Sequence, residues 1–210
     1  MSATVIAIDG PAASGKGTLA RRLAEHLGCP HLDTGLLYRA VARVMMDRGI
    51  ALSDAEAAAS VAASLAPEQL DASRLRGVEM GEAASVVSVH EAVRNALLAW
   101  QRRFATQPGG AVLDGRDIGT VVCPEADVKL YVTASAEERA RRRFREVSAT
   151  GETTTFEAVL ADILRRDARD ADRAAAPMRA APDARHLDTT ALDADAAFAK
   201  ALEIVESARS

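Results

Sequence analysis

Aromatic side chains are scarce: four phenylalanines, two tyrosines and one tryptophan make up 3% of 210 residues. So few rings exclude a groove in which successive bases stack on aromatic faces. Lysine is nearly missing too, with three (Lys16, Lys129, Lys200) against 23 arginines. A formal net charge of −4 excludes a general electrostatic grip on a phosphate backbone, so no nucleic-acid partner is expected. The two cysteines, Cys29 and Cys123, share no metal-ligand spacing and read as reduced, structural residues of a cytoplasmic protein. No apolar run approaches the roughly 18 residues of a membrane span, and Val5 to Ile8 is too short for a signal-peptide core. Apolar residues amount to 49%, but 46 residues are alanine, so large apolar side chains suffice for one core and not for two large domains.

What is present alternates between strand and helix signals. Thr4-Val-Ile-Ala-Ile8 is a short β-branched run ending in Asp9-Gly10-Pro11, a buried strand meeting a turn. A helical pattern follows from Lys16 to Leu27 and stops at Gly28-Cys29-Pro30. Further strand-like segments lie at Ala111 to Asp114, Val128 to Val132 and His186 to Asp188. Capping boxes are expected at Ser53/Glu56, Ser135/Glu138 and Thr154/Glu157. The alanine-biased stretches Ala55 to Ala66 and Ala191 to Ala201 read as helix. This alternation predicts an α/β fold, a parallel sheet with helices on both faces, without repeats or linkers.

The densest chemical signal is Gly10, Pro11, Ala12, Ala13, Ser14, Gly15, Lys16, Gly17 and Thr18, at the strand-to-helix junction. Glycines let backbone amides wrap a polyphosphate, the helix N-terminus adds positive potential, and Lys16 bridges the outer phosphates. Gly17 stands where the general pattern has Ser or Thr, and Thr18 follows one place later. A phosphate loop by itself leaves GTPase, ATPase and small-molecule kinase open. Guanine reading normally uses Asn-Lys-x-Asp, and the chain's one asparagine, Asn95, is followed by Ala96.

Moving a phosphoryl group between two anions needs a second cationic pocket, for which forked guanidinium groups suit better than ammonium. Candidates are Arg39 in Asp33-Thr-Gly-Leu-Leu-Tyr-Arg39, Arg116 in Asp114-Gly-Arg-Asp117, and Arg173 in the run from Arg166. Spacings of four and three put Arg166, Asp170 and Arg173 on one helix face, about a quarter-turn from Phe156, Val159, Leu160, Ile163 and Leu164. A surface Arg–Asp–Arg ladder is the plainer alternative.

With the phosphate loop, Asp33-Thr-Gly-x-x-Tyr-Arg39, Asp114-Gly-Arg-Asp-Ile-Gly-Thr-Val-Val122 and Arg169-Asp-x-x-Arg-Ala-x-x-Pro177, the chain resembles the bacterial cytidylate kinases from Val5 to about Thr190. The Lys16-Gly17-Thr18 version of the loop is shared with the wider nucleoside monophosphate kinase branch. The resemblance implies a single kinase domain over residues 1–210 with a five-stranded parallel sheet, an acceptor-nucleotide region at about 40–84, and a lid at about 139–172. It implies that Arg39, Arg116 and Arg173 hold the acceptor phosphate and that Ser85, Arg94 and Asp117 read cytosine. Arg166 and Asp170 would hold the sugar hydroxyls, and Thr34 and Tyr38 would line the same pocket. The base chemistry agrees: a carboxylate suits the exocyclic amine of cytosine, and Arg with Ser suits its acceptors. Uracil would turn a carbonyl toward Asp117.

Two departures stand out. Glu91 occupies the place of a helix-breaking proline, but Ser88-Val-His-Glu91 reads as a capping box that starts a new helix. The chain between Arg39 and Ser85 is short for the family, so the acceptor region is expected to be trimmed and mostly helical.

The implied reaction is attack by the phosphate of CMP or dCMP on the γ-phosphorus of MgATP, with Lys16, Arg116 and Arg173 neutralising charge. Mg²⁺ would be held by phosphate oxygens and water, with Asp9 and Asp114 as outer-sphere candidates. In the lid, Arg139 and Arg143 are candidates for reaching ATP, against the alternative of a solvated face balanced by Glu137, Glu138 and Glu146. His26, His31, His90 and His186 share no metal spacing and are assigned no chemistry, and Trp100 with Phe104 reads as core. A monomer is expected. A kinase for AMP, UMP or shikimate and an ATP-binding regulator are the competing readings.

Overall fold

The computed structural model describes residues 4–66, 69–70, 74–75, 77–149, 151 and 153–209. In chain order the elements are β1 (Thr4–Asp9), α1 (Lys16–Leu27), β2 (His31–Asp33), α2 (Thr34–Asp47), α3 (Ala55–Ala63), α4 (Val78–Val87), α5 (Glu91–Ala105), β3 (Gly110–Gly115), a π-helical turn (Ile118–Val122), β4 (Val128–Thr133), α6 (Ala136–Ala149), α7 (Phe156–Ala171), β5 (Arg185–Asp188) and α8 (Ala194–Arg209). The chain divides into two compact units, one of Met1–Leu32 with Phe104–Ser210 and the other of Asp33–Arg103.

The first unit is built on a five-stranded parallel sheet in the order β2-β3-β1-β4-β5. β1 is central because its run Ile6-Ala7-Ile8 is fully buried on both faces, as a parallel strand covered on two sides must be. Ile6 and Ile8 join Val128, Leu130 and Val132 in a cluster closed by Leu19 and Leu23 of α1 and by Ala201 and Val205 of α8. Burying one such leucine contributes about 2–3 kcal/mol. From β1 the chain runs out to one side of the sheet and later crosses to the other, so its carboxyl end lies at the switch point where ligands of such sheets bind. In the same unit Ala140 of α6 packs with Val159 and Ile163 of α7.

The second unit is helical. Leu37, Val41 and Met45 of α2 meet Val61 of α3, Met80 and Val87 of α4, and Val93 and Leu97 of α5, with Trp100 against the cluster. Gaps in the described residues fall at 67–68, 71–73 and 76, so part of the 40–84 stretch, Arg76 included, lies outside them, as do Thr150 and Glu152 of the expected lid break.

Four local expectations are corrected. α3 is capped by Asp54, whose side chain accepts from the Ala57 amide, not by Ser53. α7 is capped by Thr155 and not Thr154, a shift of one residue. Ser88 does not start a helix: α5 begins at Glu91, and the Ser88 hydroxyl turns back to the Ser85 carbonyl at 2.9 Å, closing α4. Arg173 does not extend the face of Arg166 and Asp170, because α7 ends at Ala171 with Asp172 as its C-terminal cap. Ser135 does cap α6 through the Glu138 amide at 3.2 Å. The sequence reading missed β2 because three residues are too short for a period.

Candidate active site

The loop between β1 and α1 passes unusually close to β4. A Cβ on Gly10, at φ 151°, would stand 2.0 Å from the Val132 carbonyl oxygen, so only glycine fits there. Gly15, at φ 89°, turns the chain into α1, whose N-terminus has no side-chain cap and no acidic residue in its first turn. Its N-terminal amides and the helix dipole therefore favour an anion. Lys16 is buried and donates to the Pro11 carbonyl at 3.3 Å, curling back over its own loop. Ser14 is wholly buried and its Oγ has no hydrogen-bond partner among the described residues, a donor that a phosphate oxygen would satisfy.

The loop is braced from behind by Thr189 and Arg142, which sequence reasoning did not single out, and by Arg139, which it did. Thr189 Oγ1 lies 2.9 Å from the Ser14 carbonyl and 3.0 Å from that of Thr133. Arg142 donates to Thr189 Oγ1 at 3.0 Å and to the Thr189 carbonyl at 2.6 Å, and reaches the Ser14 carbonyl at 3.4 Å. Arg139, buried, holds both carboxylate oxygens of Asp167 at 3.1 and 2.6 Å and touches the loop through the Ala12 carbonyl at 3.3 Å. Arg143 ion-pairs with Glu146 on its own helix at 3.0 Å. Arg142 shares its local partner, Glu138, with Arg141, so nothing local separates it from its neighbours; the partners that tie it to the loop lie some 47 residues on or 128 back.

Register places the second motif beside the first. Ile8 pairs with Asp114 and Asp9 with Gly115, so the phosphate loop and Asp114-Gly-Arg-Asp117 leave adjacent strand ends together. Arg116 Nε donates to Asp170 Oδ2 at 2.8 Å, joining β3's end to α7. Burial works against the charge on Asp170, but Arg116, Arg173 and Arg166 outweigh it and hold its carboxyl below the ordinary range. Burial likewise opposes the charge on Arg116, and Asp170, with Asp114 and Asp167 behind it, more than compensates. Arg173 is buried and donates from Nε to the Asp170 carbonyl at 3.4 Å. Arg116, Asp170 and Arg173 thus form one connected group, and Asp117 is buried next in sequence.

Asp9 holds the other side of this segment. Its Oδ1 accepts from the Ile118 amide at 2.7 Å and its Oδ2 from the Gly119 amide at 2.8 Å. Burial pushes its carboxyl up to about 6 although these two amides and Lys16 oppose the shift, and the Asp117 charge adds to it. Both oxygens are committed to the turn behind Asp117, which makes Asp9 a brace and leaves Asp114 as the better outer-sphere metal candidate. Asp114 is 3% exposed, its Oδ1 lies 2.7 Å from His31 Nε2, and its Oδ2 would lie 3.7 Å from a Cβ on Gly17. No group of three His, Cys, Asp or Glu side chains among the described residues could hold a metal. One buried carboxylate beside a phosphate cradle fits a Mg²⁺ that arrives on the nucleotide and keeps its waters.

The remaining candidates belong to the second unit. Thr34, buried, opens α2 after Asp33, whose side chain caps the helix through the Gly35 amide at 2.9 Å. Arg39 donates to the Leu75 carbonyl at 3.2 Å. Arg94 is buried with its guanidinium 5.8 Å from the centre of the Tyr38 ring, a cation–π contact that orients both. Ser85 is buried on α4 and Arg94 lies on α5; the break at 88–90 separates the two residues that a single straight helix would have set on opposite sides.

Comparison with known proteins supplies a family. Residues 6–207 match the family model described as cytidylate kinase. A cytidylate kinase of Methylobacterium sp. (strain 4-46) is 68% identical over 203 residues, covering 97% of each chain. That of Methylocella silvestris is 63% identical over 204 residues, covering 97% of this chain and 94% of the relative. A solved Thermus thermophilus structure aligns over 100% of both chains with a TM-score of 0.50 and 23% identity, a likeness of fold alone. Among the described residues no helix is long and apolar enough to cross a membrane.

Proposed function

Because this chain belongs to the cytidylate kinase family, we propose that it transfers the γ-phosphoryl group of MgATP to CMP or dCMP, giving the diphosphate and ADP. The observation that carries this is the register of β1 and β3, which sets an amide-lined anion cradle next to the Arg116–Asp170–Arg173 group.

In the proposed mechanism the loop from Gly10 to Thr18 wraps the ATP phosphates through its amides, with Lys16 leaving the Pro11 carbonyl for the outer phosphates. Arg116 and Arg173, with Arg39 from the second unit, hold the acceptor phosphate, whose oxygen is already anionic near neutral pH and needs no general base. Catalysis is then positioning and charge neutralisation, which fits a site rich in guanidinium groups. Mg²⁺ carried by the nucleotide would supply charge neutralisation, and Asp114 would hold its water shell.

Asp117, Arg94 and Ser85 read the cytosine edge, Arg166 and Asp170 hold the sugar hydroxyls, and Thr34 and Tyr38 line that pocket. Residues 139–172 act as the lid that excludes water. Arg139 and Arg143 belong to the ATP side of that lid, Arg139 through the loop it already touches at Ala12. The enzyme works as a cytoplasmic monomer. A coupled assay with MgATP and CMP, dCMP, UMP and AMP in turn tests the reading: turnover with the cytosine nucleotides is expected to dominate, and equal turnover of AMP and CMP would reject the base assignment.

A further inference from the structure

Among the described residues, His31 is the histidine that meets the buried carboxylate beside the phosphate loop. It lies on the edge strand β2, next to β3 in the sheet, where the Pro30 carbonyl accepts from the Val112 amide at 2.9 Å. From there its Nε2 reaches Asp114 Oδ1 at 2.7 Å, 83 residues away, with the histidine side chain 20% and the aspartate side chain 4% exposed. A carboxylate only accepts hydrogen bonds, so the ring proton of this contact sits on Nε2.

The other oxygen of Asp114 faces the first turn of α1 at the position where the chain has Gly17. A phosphate loop of the general pattern has a Ser or Thr hydroxyl there to meet the metal. Here that side chain is missing, and Asp114 Oδ2 stands 3.7 Å from where its Cβ would be. The carboxylate occupies the neighbourhood the hydroxyl would fill, and its orientation decides whether it can hold a water of the incoming metal.

We infer that His31 is a positioning residue for MgATP: its Nε2–H fixes Asp114 so that Oδ2 presents to the water shell of the nucleotide-borne Mg²⁺. The assignment rests on the phosphoryl-transfer reading. Its logic is that of a metal's outer coordination, where a hydrogen bond behind the oxygen sets how well that oxygen serves the ion. Gln at position 31 can place an N–H near the Nε2 position, while Leu and Phe keep bulk and lose the donor.

The experiment compares wild type, His31→Leu, His31→Phe and His31→Gln. Binding of Mn²⁺ to the enzyme–ATP complex, without CMP, is read by electron paramagnetic resonance, and the Mg²⁺ dependence of turnover is measured at saturating CMP. His31→Leu and His31→Phe are expected to weaken Mn²⁺ binding and raise the Mg²⁺ requirement about tenfold, with KM for CMP unchanged and His31→Gln close to wild type. Wild-type Mn²⁺ binding in the Leu and Phe variants overturns the role, and so does a loss shared equally by Gln, which would mark a packing role. Absence of CMP phosphorylation by the wild type would instead overturn the kinase reading, in a separate measurement from the Mn²⁺ binding that tests His31. Circular dichroism identifies a variant that does not fold, and the other apolar variant then carries the comparison with Gln.

Discussion

Replacing Asp9 by Asn removes a charge that the fold holds at a cost. The Asp9 carboxyl is raised from 3.8 to about 6 by burial, against the pull of the Gly119 and Ile118 amides. An acid whose pKa is higher in the folded state holds its proton more tightly there. Stability from this group is complete below the unfolded value and is lost as pH rises through the folded one. The shift of about two units corresponds to about 3 kcal/mol, lost between roughly pH 4 and pH 6. Asn approximates the protonated acid in shape and never ionises. Its amide opposes one of the two backbone N–H groups at every pH, a constant offset of about 1–3 kcal/mol.

The stability of Asp9→Asn relative to wild type should therefore rise by about 3 kcal/mol from about pH 4 to about pH 7, whatever the offset. Other carboxylates with shifted values, such as Asp170, are common to both proteins and cancel in the difference. Urea unfolding followed by far-ultraviolet circular dichroism at a series of pH values measures it. Parallel curves would refute the claim that a buried carboxylate braces the turn behind Asp117. The variant should also bind CMP more weakly, because the turn from Ile118 to Val122 loses one of its two anchors.

Asp117→Asn should narrow the preference for CMP over UMP by roughly tenfold to a hundredfold, since an amide can meet either a carbonyl or an amine; an unchanged ratio removes Asp117 from base reading. Arg173→Lys should lower kcat despite the retained charge, because an ammonium cannot make a forked contact, and wild-type kinetics would return Arg173 to a structural role. Gly10→Ala should destabilise the protein by about 3 kcal/mol or more, its methyl being directed at the Val132 carbonyl; a melting temperature within a degree or two of wild type would contradict the close approach of loop and β4.

Strand, phosphate loop and first helix were legible because everything that makes them is local. The β-branched run, the glycine turn and the amphipathic pattern from Lys16 to Leu27 lie within 27 residues, and α1 spans the expected range. The helix caps at 53–54 and 154–155 were legible only to within a residue, because neighbouring Ser, Asp and Thr can each serve and backbone geometry selects one. The break between Ser85 and Arg94 was legible as a place but not as a mechanism: Ser88 closes the helix before it.

The chain order alone therefore determined the α/β class, the anion cradle and the family motifs, since each depends on residue type and short spacing. Tertiary structure alone decided which polar groups face each other. Arg116 meets Asp170 across 54 residues, His31 meets Asp114 across 83, and Asp9 meets the amides of Ile118 and Gly119 across 109 and 110. Parallel strands bring distant segments to one sheet edge, and the register of that pairing is set by buried apolar contacts throughout the unit rather than by the residues that come to touch.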